Sequence, residues 1–279
     1  MKKYILSITS FLLIISCGQS QKMNDKKENY LLDDLNIYVE KFPPNESTSI
    51  DYTVDNNIYK IDRKFIFDYF IVRQNDTFKI VAPKTTSLNS DFQREWDFIS
   101  SAADHENKIE TISITVLPGI SNENQTMLKY EYQYANDLGY SSFSSKSGVI
   151  ENEMNVWMHP HRDKYFMILE LNPFPYVRMP LKTGTKWSWN LKIGDHWKDI
   201  RWKTWEGLVE NEYKYKIIRK EKLLTDIGEM ECWVIEGVAT SSLGLTELTA
   251  YYNELNGFVK LDYTNIDKSR LIIKIKEIR

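Results

Sequence analysis

The spacing of apolar and polar residues near the end of the chain is typical of β-strands. Leu271, Ile273 and Ile275 alternate with Lys274 and Lys276, which predicts a strand with one covered face and one wet face. Seven candidate strands follow residue 180: Lys186–Ile193, Ile200–Glu206, Tyr213–Arg219, Met230–Thr240, Leu245–Asn253, Phe258–Thr264 and Arg270–Ile278. Turn sequences such as Asn256-Gly257 separate them. This rhythm predicts an antiparallel meander.

Strand patterns also occur before residue 150. The predicted strands there are Phe65–Val72, Phe78–Ala82, Ile112–Val116 and Leu128–Tyr134. Between them, Asp91–Ala103 has a different period. Phe92, Trp96, Ile99 and Ala103 recur at steps of three and four residues, and Ser90 with Gln93 fits a capping box. We therefore expect a helix at about 91–103.

Together these patterns predict a mainly β (β-rich α+β) fold, with a curved antiparallel sheet or half-barrel meander and at least one helix. Residues 30–150 form a β-rich N-terminal region that contains this helix, and residues 151–279 form the half-barrel-like region. The two regions are expected to be either separate lobes or one continuous domain. The chain is long enough for both arrangements.

The N-terminus has the layout of an export signal. Lys2 and Lys3 precede an apolar run from Tyr4 to Ile15, which ends at Ser16-Cys17. This segment resembles a bacterial lipoprotein signal, which implies cleavage before Cys17 and attachment of fatty acyl chains such as palmitate to that cysteine. The signal peptide is then 1–16, and 17–29 is a lipidated, flexible tether. The expected location is the cell envelope, at the outer membrane because an acidic residue does not follow Cys17, with the membrane face left open.

Charge narrows the choice of partners. Loss of Lys2 and Lys3 with the signal takes the formal net charge from −3 to −5. A nucleic-acid-binding protein needs a basic face, so nucleic acid is not an expected partner. The expected partners are the membrane, through the lipid on Cys17, a lipid or other hydrophobic ligand, and an envelope protein.

The last hundred residues carry a second resemblance. The segments concerned are Gly184–Trp187, Tyr213–Tyr215, Gly228–Trp233, Ala250–Tyr252 and Asn256–Leu261. They resemble a recurring envelope module of unknown function, which is similar to the curved half-barrels of periplasmic lipoprotein carriers. The segments Trp157–Pro160 and Leu169–Pro175 resemble uncharacterised exported proteins of Bacteroidota. Neither resemblance implies a catalytic motif or a cofactor.

Tryptophans supply the main candidate binding residues. Trp187, Trp189, Trp197, Trp202 and Trp205 fall within nineteen positions. On neighbouring strands their rings are expected to line a cavity for an acyl chain, to form platforms for sugars, or to fill the concave side of the sheet themselves. Basic residues interleave with them, either to contact an anionic ligand or to form a solvated face: Lys186, Lys192, Lys198, Arg201 and Lys203.

The sequence patterns for catalysis or metal binding are weaker than the tryptophan pattern. His159-Pro160-His161 places two imidazoles on one side of an extended segment, so both are weak candidates for a metal site. Three or four ligands are usual, and the expectation is no metal and no cofactor. The sequence contains no Gly-x-Ser-x-Gly elbow, and an enzymatic function is not favoured.

Three functions remain open at this point. The first is a lipid-anchored, non-catalytic binding module that holds a lipid or other hydrophobic ligand in an aromatic-lined concavity. The second is a structural or interaction subunit of an envelope assembly, with a core filled by its own side chains. The third is a protein that binds or acts on glycans, since a pair of catalytic carboxylates leaves no spacing signature.

Overall fold

A computed structural model describes residues 30–40, 56–82, 95–121, 125–135 and 143–279. The predicted signal peptide, Cys17 and tether lie outside these ranges. The described strands are β1 (Tyr30–Leu32), β2 (Tyr38–Glu40), β3 (Lys64–Arg73), β4 (Asp76–Val81), β5 (Asp97–Ser100), β6 (Ile109–Ser121), β7 (Gln125–Tyr134), β8 (Phe143–Glu151), β9 (Asn155–Met158), β10 (Tyr176–Arg178), β11 (Lys186–Gly194), β12 (Leu208–Thr225), β13 (Gly228–Ser241), β14 (Gly244–Asn253), β15 (Gly257–Thr264) and β16 (Arg270–Ile278). Two 3₁₀ helices span Lys164–Leu171 and Asp195–Trp197.

Fourteen of these strands form one antiparallel sheet that nearly closes into a barrel. The sheet runs in the order β10-β9-β8-β7-β6-β3-β16-β15-β14-β13-β12-β11, and β4 and β5 extend from β3. β3 pairs with β16, so strands from both predicted regions, 30–150 and 151–279, belong to the same sheet. The predicted mainly β fold with a curved antiparallel sheet is confirmed. No helix in the described ranges is long and apolar enough to cross a bilayer.

The C-terminal meander follows the predicted register closely. β16 has the predicted bounds, with Leu271, Ile273 and Ile275 buried and Lys274 half-buried on the opposite face. The predicted strand at 200–206 is wrong, because this segment is a loop after the second 3₁₀ helix, in which the Asp199 N–H donates to the Lys203 carbonyl oxygen. A short turn closes here because the Asp199 carboxylate accepts from the backbone N–H of Arg201, at 2.9 Å.

The helix predicted at about 91–103 is also wrong in its described part. Residues 97–100 form β5, which pairs with β4 from Val81↔Asp97 to Phe78↔Ser100. Trp96 and Phe98 are two residues apart, a spacing that suits a strand as well as Trp96 and Ile99 suit a helix. The free backbone edge of β4 supplies the hydrogen bonds that decide between the two patterns. The longer of the two described 3₁₀ helices lies instead at Lys164–Leu171.

A plug, residues 159–175, fills the concave side of the sheet. All eight residues of its 3₁₀ helix are buried. Side chains of the sheet satisfy plug carbonyls: Thr246 Oγ1 donates to the Leu171 oxygen at 2.8 Å, and Tyr215 Oη donates to the Phe174 oxygen at 2.9 Å. The barrel interior is therefore a packed core.

Close approach between plug and sheet requires a glycine in β13. A Cβ on Gly237 would lie 2.9 Å from Cβ of Pro173 and 2.9 Å from Cε1 of Tyr215. Neither atom belongs to a flexible chain end, so a larger residue would push the plug away from the sheet.

The strand directions define two ends of the barrel. The upper end carries the β3–β4 turn, the β15–β16 turn and the 195–207 loop, and the lower end carries the β12–β13 and β14–β15 turns. The described N-terminal strands meet the barrel at the lower end, where Asn152 Nδ2 donates to the Tyr38 carbonyl oxygen at 2.8 Å. The candidate tryptophans of the 195–207 loop lie at the upper end.

Candidate functional site

Two of the candidate tryptophans close the barrel where its hydrogen bonding stops. β10 and β11 are the last strands of the sheet path, and the aromatic rings of the seam, Trp157, Tyr176, Trp187 and Trp189, meet between them. Trp157 and Trp189 have centroids 5.9 Å apart in an edge contact, and Tyr176 and Trp187 are 5.6 Å apart. Side-chain packing thus joins the two edges of the sheet.

Each of these two tryptophans also stacks on its neighbour in β12. Trp187 lies parallel to Tyr215 at 5.3 Å, and Trp189 lies nearly parallel to Tyr213 at 4.4 Å. Trp189 Nε1 donates to Tyr215 Oη at 3.3 Å. Trp187 is 6% exposed and Trp189 is 2% exposed, so both rings are part of the core.

The other three candidates all lie in the 195–207 loop, in different surroundings. Trp197 is half-buried, with the guanidinium carbon of Arg162 5.2 Å from its ring centroid. Trp205 is buried, and Trp202 is buried beside Trp96. The five tryptophans therefore do not share one surface, and of the five, Trp202 lines the aromatic pocket described next.

This aromatic pocket has a volume of about 300 Å³ and opens toward the upper end of the barrel. Five segments of the chain converge on it, and its lining residues are Arg73, Trp96, Asp97, Phe98, Tyr165, Arg201, Trp202 and Asp267. Four of these are aromatic, two are basic and two are acidic. Small-molecule sites commonly combine an apolar wall with a few placed polar groups in this way.

Arg201 is held rigidly over one wall of the aromatic pocket. Its Nε and Nη2 donate to the two carboxylate oxygens of Asp199 at 2.9 and 2.6 Å, and Nη1 donates to the Trp96 carbonyl oxygen at 3.1 Å. The guanidinium carbon then lies 3.7 Å from the centroid of the Trp96 ring. Trp96 and Trp202 are stacked with 6.1 Å between centroids. Bidentate pairing and stacking together fix this wall.

A hydrogen-bond network fixes the opposite wall. Tyr165 Oη is 2.7 Å from Ser269 Oγ and accepts from Asn265 Nδ2 at 3.0 Å. Ser269 Oγ in turn donates to Asp267 Oδ1 at 2.5 Å. Burial raises the pKa of the Tyr165 hydroxyl, so this hydroxyl stays neutral and able to donate. The walls are preorganised before any ligand arrives.

The aromatic pocket contains residues that sequence reasoning missed. Arg73, Trp96 and Asp267 come from β3, the segment before β5 and the β15–β16 turn, and no motif links them. Arg201 and Trp202 were candidates because of the tryptophan-rich segment. The alternation Trp96-Asp97-Phe98 was an available signal, but the helical period of the same segment concealed it.

The two candidate histidines lie in the plug. His159 Nδ1 is 2.9 Å from Arg162 Nη2, and Arg162 pairs with the buried carboxylate of Glu170 at 2.8 Å. Burial lowers the pKa of His161 to about 3, and its ring packs 4.6 Å from that of Tyr130. Within the described ranges, no group of three or more histidine, cysteine or acidic residues is placed to hold a metal ion.

Plug residue His161 also borders a small internal cavity. This cavity of about 10 Å³ is lined by His161, Pro160, Tyr263 and apolar side chains of β3, β6, β9, β15 and β16. It is no larger than the space of a single water molecule. An acyl chain does not fit in this cavity.

Comparisons with known proteins give distant similarity in architecture. No family model matches the chain, and no curated protein matches it. One similar solved structure is a candidate lipoprotein from Parabacteroides distasonis, at 9% identity over 80% of this chain and 97% of that chain, with a TM-score of 0.44. A candidate exported protein with a YmcC-like fold from Bacteroides fragilis shares 8% identity over 79% and 96% of the two chains, with a TM-score of 0.38. The hypothetical lipoprotein YmcC from Escherichia coli shares 8% identity over 76% and 84%, with a TM-score of 0.31.

Proposed function

We propose that the protein is a lipid-anchored lipoprotein of the cell envelope and a non-catalytic binding module whose ligand occupies the aromatic pocket. Cys17 at the end of the signal-like segment supports the anchor, and the outer membrane is its proposed location. The observation that carries the binding function is the aromatic pocket itself, with its fixed guanidinium and its stacked tryptophans.

Burial favours this pocket over the concave side of the sheet as the ligand site. The plug occupies the concave side with the fully buried rings of Tyr165, Phe166 and Phe174. Seating an acyl chain there would require the plug to leave, and its hydrogen bonds to the sheet would be lost with it. At the aromatic pocket, the ligand enters an existing space.

An interaction subunit with a self-filled core is the second candidate, because the same plug packing supports it. In that case the aromatic pocket is a feature of the core boundary and has no small ligand. The two candidates differ in one measurable property, which is affinity for small ring compounds at the aromatic pocket.

Saturation-transfer NMR tests the proposal with five named probes: glucose, N-acetylglucosamine, indole-3-acetate, phenyl phosphate and decanoate. We expect at least one ring compound to receive magnetisation from the wild-type protein and to lose it with Arg73→Ala. The Arg73 side chain is 41% exposed, and its ion pair with Asp267 is long, at 3.9 Å, so this variant should fold normally.

Arg178→Ala is the matched control. Arg178 lies 4.8 Å from the Tyr38 ring at the lower end, much as Arg73 lies 4.9 Å from the Phe98 ring in the aromatic pocket. Ring compounds that bind equally to both variants would rule out the aromatic pocket as the site. Binding of decanoate alone, unaffected by Arg73→Ala, would return the ligand to the concave side.

A further inference from the structure

The charges that line the aromatic pocket cancel. Arg73 and Arg201 face the pocket together with Asp97 and Asp267, so its formal charge is zero. Arg201 is moreover bonded through two nitrogens to Asp199, which is 4% exposed. An anionic ligand would have to compete with carboxylates that already neutralise both guanidinium groups. A neutral ligand meets no such competition.

The polar groups of the pocket offer donors and acceptors side by side. The guanidinium groups donate, and the carboxylates of Asp97 and Asp267 accept. A hydroxyl group both donates and accepts, so a ligand with several hydroxyls can satisfy this mixed set.

The remaining wall of the pocket is aromatic. Trp202 and Phe98 carry electron-rich ring faces, which attract groups with positive partial charge. The C–H bonds on one face of a sugar ring are such groups, and its hydroxyls project from the edge. A fatty acyl chain would cover the rings but would take the arginines and aspartates out of water without offering them any hydrogen bond in return.

From these three properties we infer that the aromatic pocket binds a neutral pyranose ring of a glycan. The inference rests on the proposed binding function and adds the class of ligand. A volume of about 300 Å³ lies at the lower limit of the ~300–1,000 Å³ typical of small-molecule sites. The pocket therefore suits a chain end or a single ring of a longer glycan.

The test uses the full chain, exported with its own signal and purified from the envelope of a Gram-negative host. An array of neutral oligosaccharides (maltoheptaose, cellohexaose, chitohexaose) and anionic ones (oligogalacturonate, heparin fragments) is screened first. Isothermal titration calorimetry then measures the affinity of the best ligand at about 50 and about 500 mM NaCl. We expect a neutral glycan to bind, with an affinity that salt leaves unchanged.

Variants locate the bound ring. Arg73→Ala should weaken binding about tenfold, which is the loss expected for one charged hydrogen bond, while Arg178→Ala should leave the affinity unchanged. Asp97→Asn is the second variant. In the wild type the Phe98 N–H donates to Asp97 Oδ1 at 2.7 Å, and the asparagine keeps an oxygen that can accept this hydrogen bond. The variant should therefore fold normally, but it should bind the glycan more weakly because the negative charge is lost. Circular dichroism melts verify that each variant is folded.

Three other outcomes overturn the inference. Binding of anionic glycans only, weakened by salt, would show a charged ligand. Neutral glycan binding unaffected by Arg73→Ala and Asp97→Asn would place the sugar elsewhere. No binding of any glycan, together with a non-sugar probe that binds in the NMR screen and is lost with Arg73→Ala, would refute the sugar and leave the proposed pocket standing. If the NMR screen is also negative, the proposed function fails as well.

Discussion

Truncation of Trp189 distinguishes a core residue from a ligand-binding residue. The ring is 2% exposed, stacks on Tyr213 at 4.4 Å, and makes edge contacts with Phe174 at 5.5 Å and Trp157 at 5.9 Å. Trp189→Ala removes all three contacts and leaves a cavity at the seam where β10 and β11 meet. For a buried aromatic residue the expected loss in free energy of unfolding is about 3–5 kcal/mol.

Urea denaturation followed by far-UV circular dichroism measures this loss without depending on tryptophan fluorescence. At an m-value of about 3 kcal/mol/M, the midpoint should fall by about 1–1.7 M. Trp233→Ala is the matched control, because Trp233 is half-buried in β13 and Lys220 Nζ lies 5.1 Å from its ring centroid. The control should lose only about 1 kcal/mol.

Two results would contradict the assignment of Trp189 to the core. Should Trp189→Ala shift the midpoint no more than Trp233→Ala does, the ring would not be carrying core packing. If the same variant also abolished binding of the best ligand, Trp189 would belong to an open ligand site. The aromatic seam would then be an entrance to the barrel interior.

Three further predictions concern stability. Ile273→Lys should cost more than about 4 kcal/mol in a denaturant melt because it buries a charge, whereas Lys274→Ile should stay within about 1 kcal/mol; equal losses would contradict the register. Burial lowers the pKa of His161 from 6.5 to about 3, so the neutral ring favours the folded state fully above pH 6.5. As the pH falls from 6.5 toward 3, the free energy of unfolding should drop by up to about 1.4 kcal/mol per pH unit. His161→Phe should flatten this dependence, and an unchanged slope would show that the ring is not buried. Gly237→Ala should cost about 1–3 kcal/mol by urea melt because of the contact with Pro173, and a neutral result would mean that the plug is loosely seated.

Local patterns predicted the C-terminal meander well. β16 was predicted with its observed bounds, and β14 and β15 were predicted to within one residue at their starts. Alternation works here because each of these strands has one face on the core and the other toward solvent, so burial is written into every second residue. The turn glycines, Gly228 and Gly257, adopt positive φ and mark the strand ends.

Patterns were misleading where backbone partners decided the structure. The segment around Trp96 carries a helical period, yet β4 offers an open edge and Asp97–Ser100 pairs with it. The 200–206 segment alternates like a strand, but the Asp199 carboxylate closes a turn there. In the first segment the deciding interaction comes from a neighbouring strand, and in the second it comes from a single side chain. The spacing of apolar residues contains neither kind of information.

The sequence by itself determined the mainly β class, the register of the C-terminal strands and an abundance of aromatic residues to be buried. Only the tertiary structure decided which aromatic residues became core and which became pocket. Trp187 and Trp189 lie where two sheet edges meet, while Trp202 lies opposite Trp96, which is more than a hundred residues away along the chain. A sequence pattern reports which face of one strand is covered, and the contacts that cover it depend on how distant strands and the plug are brought together.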